Sequence, residues 1–205
     1  MAFSATDKAA LNRNWFTTTS LVTKDFKLKY RRSVLGIAWS VLNPLLMMCV
    51  LSAVFSTFFR FQIENFPLYL ILGNTIFALM SDSTSSAMTS IIDSAPLIKK
   101  IRIEKMIFPL EKVTFELVNF ALSLIAAAAV MLYFRIVPSI HALWGLPFLV
   151  LCVTVFCVGL GLLLSALTVF FRDVHHLWTV VITAWTYATP LFYPYDMLAG
   201  WMPLF

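Results

Sequence analysis

The chain has 205 residues, of which 60% are apolar and only 12% charged, with a mean hydropathy of +0.87. Soluble domains carry about 45–50% apolar residues, so both a soluble globular fold and a disordered chain are excluded. The formal charge of +5 does not point to nucleic acid, because the basic residues gather at the ends of apolar runs, where membrane orientation is set. What remains is an integral membrane protein built from α-helices.

Residues 1–33 form the first unit. Leu11, Trp15, Val22, Phe26 and Tyr30 recur at helical spacing, while Arg13, Lys24, Lys27 and Arg31 fall on the opposite side. This pattern predicts a basic amphipathic helix lying in the membrane interface, with Trp15, Val22, Phe26 and Tyr30 on its apolar face. The competing reading is a basic tail that only fixes topology.

Five spans are predicted in the remainder, residues 34–205, at about 34–59, 66–92, 112–134, 142–171 and 177–193. The first is 26 residues long, about 39 Å as a helix, with Pro44 set to kink it. The second has a polar middle, Ser81 to Ser86, that includes Asp82. A carboxylate at mid-bilayer costs about 2.5–3.5 kcal/mol even on the lenient insertion scale, so this face is expected to look into protein or a wet passage. Packing against hydroxyls of a neighbouring helix is the alternative for Asp82. The third span offers small residues at Ala126 to Ala129, and the fourth at Gly159, Gly161 and Ser165, all suited to close helix approach. Pro190 breaks the fifth.

A polar loop, residues 93–110, separates the second and third spans. Pro96 suits a first helical turn and Pro109 resists continuation, so a helix of two to three turns is predicted between them. Leu97, Ile98 and Ile101 alternate there with Lys99, Lys100, Arg102 and Lys105, the composition of a contact helix that another protein moves. Thirteen of the fifteen Lys and Arg residues lie in residues 1–32, in 93–112 or at Arg172, and only Arg60 and Arg135 lie on the alternate side. That bias predicts a multi-pass protein with a cytoplasmic N-terminus and a cytoplasmic loop 93–110.

Four stretches then coincide: YRRSVLGIAWSVLNPL (residues 30–45), APLIKKIRIEKMIFPL (95–110), LSALTVFFRDVHHLW (164–178) and ATPLFYP (188–194). Together, in order, they resemble the ABC-2 type permease subunits of polysaccharide exporters, the family that moves O-antigen, capsule, teichoic acid and similar lipid-linked glycans. The resemblance implies an all-α ABC-2 exporter fold in the cytoplasmic membrane of a bacterium. It implies an interfacial N-terminal helix, a coupling helix over Leu97–Lys105 and the start of an outer re-entrant gate at residues 194–205. Six spans are implied, the sixth expected beyond Phe205. The implied partners are a second copy in a homodimer, a separate nucleotide-binding ATPase that holds ATP and magnesium, the lipid-linked glycan and membrane lipids. The loop departs from the family in carrying Arg102 and Glu104 where a more neutral stretch is usual.

The chain carries no Gly-rich loop ending in Gly-Lys-Ser/Thr and no HExxH, CxxC or GxSxG pattern, so neither ATP hydrolysis nor another catalytic role, nor a cofactor of its own, is expected. Cys49, Cys152 and Cys157 lie inside apolar runs, spaced for neither disulfides nor a metal. A glycan passage needs aromatic faces and hydrogen-bonding groups. Trp39 and Asn43 share a face of the first span, and Trp185, Tyr187 and Tyr193 decorate the fifth; with Asp82 these are the candidate lining residues. The plainer alternative makes the aromatics an interface belt. Competing functions are ABC-2 export of another amphiphile, a secondary transporter working alone, and a membrane transferase whose only acid–histidine cluster is Asp173, His175 and His176.

Overall fold

The structure is a computed structural model that describes residues 5–31, 33–58, 66–100 and 103–191. Within them the fold is all-α: α1 (Ala5–Tyr30), α2 (Ala38–Phe58), α3 (Phe66–Asp93), α4 (Ala95–Ile98), α5 (Ile107–Tyr133), α6 (Ile140–Phe170) and α7 (Val174–Ala188).

The central element is α3, which packs most extensively on α5 and α6 and also meets α2 and α7. Its residues enter three apolar clusters. Ile71 meets Ala126, Ala127 and Val130 of α5. Ala87 meets Val113 of α5 and Cys157 of α6. Met88 meets Leu164 of α6 and Trp178 of α7. Small residues allow this closeness: a Cβ added at Gly161 would lie 2.9 Å from the Ala87 Cβ, so α3 and α6 touch nearly backbone to backbone. Gly159 faces open space and takes no part in the contact. Ala126 and Ala127 are buried in the α3–α5 seam, whereas Ala128 and Ala129 of the same run are exposed.

Two described helices, α5 and α6, are long and apolar enough by themselves to cross a membrane, and α2 contributes a shorter apolar stretch, Ala38–Val54. At 28 residues α3 has the reach, about 42 Å, but its polar middle lowers its hydropathy. Its counterpart α7 has 15 residues, about 22 Å, less than a ~30 Å hydrocarbon core. It stops at Thr189, which is extended (φ −88°, ψ 133°), because the following Pro190 disfavours helical geometry in the residue before it.

The starts and turns follow from local chemistry. Gly36, at φ +50°, carries the turn from α1 to α2, and its N–H donates to Ser33 Oγ at 3.1 Å. Ser139 caps α6 by accepting from the Ala142 N–H. Pro109 is where the structure departs from expectation. Rather than closing a helix that precedes it, it sits in the first turn of α5, where its missing N–H is an orphan in any case. α5 therefore begins at Ile107 and carries Glu111 inside, 3% exposed.

Candidate functional site

Three helices bring polar stripes to one place. On α2 these are Trp39, Ser40, Asn43 and Met47; on α3, Asn74, Thr75, Ala78 and Asp82; on α5, Glu116, Asn119 and Ser123. Beyond the adjacent pairs Trp39–Ser40 and Asn74–Thr75, the residues within each helix recur three, four or seven apart, which keeps them on one broad face. The three faces, bounded at one end by Lys29 and Tyr30 of α1, line a half-open cavity of about 270 Å³.

Its wall at the α1 end is a hydrogen-bonded network. The Tyr30 and Ser40 hydroxyls share a hydrogen bond, and Tyr30 also donates to Asn119 Oδ1 at 3.4 Å. Asn119 Nδ2 donates to Glu116 Oε2 at 2.9 Å. Ser123 Oγ lies 3.1 Å from the Asn119 carbonyl oxygen and 3.3 Å from that of Ser40, tying α2 to α5. Asp82 is exposed and lines the cavity. The rest of the polar run on α3 is divided. Ser83 and Thr84 are fully buried, Thr84 bonding back to the Met80 and Ser81 carbonyls, and Ser86 donates to the Asp82 carbonyl. One face of the run therefore looks into the cavity and the other into the helix seam.

Trp39, Asn43 and Asp82 thus meet in one cavity. Trp185 and Tyr187 do not join them: Trp185 packs edge-on against Phe156 of α6 at 6.1 Å, and Tyr187 is 70% exposed elsewhere on α7. Tyr193 lies outside the described residues. The cavity also holds Asn74, Thr75, Glu116, Asn119 and Ser123, which the sequence reading did not single out. Their spacing was the available signal: Glu116, Asn119 and Ser123 stand at i, i+3 and i+7 in an apolar helix, as do Thr75 and Asp82, seven apart.

The apolar face expected on α1 is split between two surroundings. Trp15 is 73% exposed, whereas Val22, Phe26 and Tyr30 are half-buried. Phe26 packs on Phe115 of α5 at 4.8 Å, and Lys29 Nζ lies 5.2 Å over the same ring. Asp25 forms an ion pair with Lys112, whose Nζ is also 3.5 Å from Glu111 Oε2. Nearer the start of α1, Asn14 Nδ2 donates to Glu104 Oε2 at 2.9 Å. So α1 is fastened along α5 and to the loop before it, and Phe26 and Tyr30 face protein because aromatic partners on α5 are within reach.

The loop itself is less helical than its composition suggests. Instead of a helix over Leu97–Lys105, α4 is the single turn Ala95–Ile98, followed by a turn at 99–100. Leu97 and Ile98 are half-buried, and Lys99, Lys100 and Lys105 are exposed; Ile101 and Arg102 lie outside the described residues. A short helix needs caps or a packed face to offset its nucleation cost; Ser94 makes no side-chain cap and α4 buries no residue fully.

The model of one family, the ABC-2 type transporter, matches residues 17–205. The chain belongs to the ABC-2 type transporter family. Among this transporter's relatives is an O-antigen export system permease protein RfbA of Klebsiella pneumoniae, 32% identical over 87% of this chain and 69% of the relative. Another, from Myxococcus xanthus and of the same name, is 34% identical over 85% of this chain and 67% of its own length. As an ABC-2 transporter, the chain is a membrane protein whose helical bundle contains the polar cavity between α2, α3 and α5.

Proposed function

We propose that the chain is the transmembrane subunit of an ATP-driven exporter that carries a lipid-linked polysaccharide of the O-antigen kind across a bacterial cytoplasmic membrane. The observation that carries this reading is the cavity. A helical bundle of this hydropathy gains nothing in stability from gathering Trp39, Asn43, Asp82 and Glu116 around open space, whereas a polyhydroxylated cargo needs such groups. The export permeases among its relatives supply the substrate class.

ATP and magnesium belong to a separate ATPase in this reading. It docks on the cytoplasmic segment from Ala95 to Lys105, where Leu97, Ile98 and Ile101 give apolar contact and Lys99, Lys100, Arg102 and Lys105 give orientation. Burying Ile98 and Ile101 in a partner groove contributes about 1.5–3 kcal/mol each. The N-terminus is cytoplasmic, Trp15 sits in the membrane interface, and two copies assemble around the glycan.

Disrupting the coding sequence in its own bacterium and restoring it on a plasmid tests the reading. Long-chain glycan should vanish from the cell surface and return with the plasmid; surface glycan that is unchanged in the disrupted strain refutes it. In the same strain, Ile98→Asp with Ile101→Asp should lose the ATPase on co-purification while leaving the permease folded.

A further inference from the structure

Resting on that export reading, we infer that the cavity between α1, α2, α3 and α5 seats one uncharged sugar ring of the exported glycan and discriminates against acidic sugars. Size limits the occupant. At about 270 Å³ the cavity falls just below the ~300–1,000 Å³ of sites that hold drug-sized ligands, so it has room for a single ring, with the rest of the glycan outside it. Chemistry selects a sugar. Trp39 offers a flat apolar surface to the C–H face of a ring, and Asn43 both donates and accepts.

Asp82 and Glu116 are acceptors for ring hydroxyls, and Glu116 is held in place by Asn119. Thr75 also lines the cavity; its residue is 5% exposed, and its Oγ1 has no hydrogen-bond partner among the described residues. Charge then sets the class of sugar. A uronic acid would bring a third carboxylate beside Asp82 and Glu116, with Lys29 the one cation on the wall among the described residues, in surroundings that screen like charges less than water does.

The test uses the full-length chain with its ATPase in lipid nanodiscs. Methyl glucoside, the methyl glycoside of N-acetylglucosamine and methyl glucuronide are titrated while tryptophan fluorescence is read. The neutral glycosides should give a saturable change that Trp39→Phe abolishes, and the glucuronide should bind at least tenfold more weakly. Asp82→Asn alone should strengthen glucuronide binding at least threefold, and with Glu116→Gln added it should come within threefold of the neutral sugars. Equal binding of the glucuronide to the unaltered chain overturns the proposal, as does a saturable change that persists in Trp39→Phe. A chain that delivers glycan to the cell surface yet gives no saturable change overturns the sugar site while leaving the export reading standing. Surface glycan that is indifferent to loss of the chain overturns both.

Discussion

The two sides of α3 are built from similar residues and do opposite things. Towards α6 and α7 the helix presents Ser83, Thr84, Ala87, Met88 and Ser90, all buried, in a close seam where the Thr84 and Ser90 hydroxyls bond to their own helix and Gly161 lets backbones meet. Towards α2 it presents Asn74, Thr75, Ala78 and Asp82 to an open cavity. Serine and threonine on their own do not distinguish the two. What distinguishes them is the facing helix: glycine and alanine close the gap, whereas Trp39, Asn43 and Glu116 hold it open.

Substitutions at Gly161, Gly159 and Asp82 separate the two sides, and one at Lys112 tests the docking of α1 beside them. The largest effect is expected from Gly161→Leu, because even a Cβ at this position comes to 2.9 Å from Ala87. Overpacking there should cost about 3 kcal/mol, read as a large drop in melting temperature in detergent; an unchanged melt would mean the seam is looser than its geometry. Next is Lys112→Met, which leaves Asp25 and the buried Glu111 without their shared cation. Since the Lys112 side chain keeps 23% exposure, about 1–2 kcal/mol is expected, with α1 becoming sensitive to limited proteolysis. Protease resistance equal to that of the parent would detach this ion pair from the docking of α1.

Gly159→Ala should go the other way. Its Cβ meets nothing within 4 Å, so only the helix propensity changes, a gain of about 0.8 kcal/mol that appears as a small rise in melting temperature. A loss comparable to that at Gly161 would show that the two glycines share one interface. The smallest change in stability, under about 0.5 kcal/mol, is expected for Asp82→Leu, which touches the cavity and not the seam. Its export should nevertheless fall several-fold by surface-glycan assay. Full export with this variant would remove Asp82 from the transport path, and a collapsed melt would place it with the packing residues.

Much of this was legible in the sequence because it depends on local pattern. Hydropathy marks the runs that become α2, α5 and α6, and the positions of Ala126, Ala127 and Gly161 mark where helices can approach. Asp82 and Asn43 were identifiable because a polar side chain in an apolar run needs a partner or water wherever it lies. The loop misled for an equally physical reason. Pro109 reads as a stop when counted from the residues before it and as a start when counted from those after it, and its φ is compatible with both. Only the packing of Ile107 and Phe108, both buried, selects the second.

Composition and periodicity, then, determined by themselves that the chain is helical, lies in a membrane, and carries a polar face it must hide. Which neighbour each face meets was decided by the tertiary structure. Phe26 and Tyr30 have the spacing of a lipid-facing stripe, yet Phe115, Ser40 and Asn119 stand within reach, and those contacts fold α1 down along α5. Trp39 and Trp185 are alike as residues in apolar runs, but one borders Asn43 and Asp82 and the other packs on Phe156. Periodicity fixes the direction of a side chain relative to its own helix; the surroundings at the end of that direction are set by how the helices cross, which arises from contacts far apart in the chain.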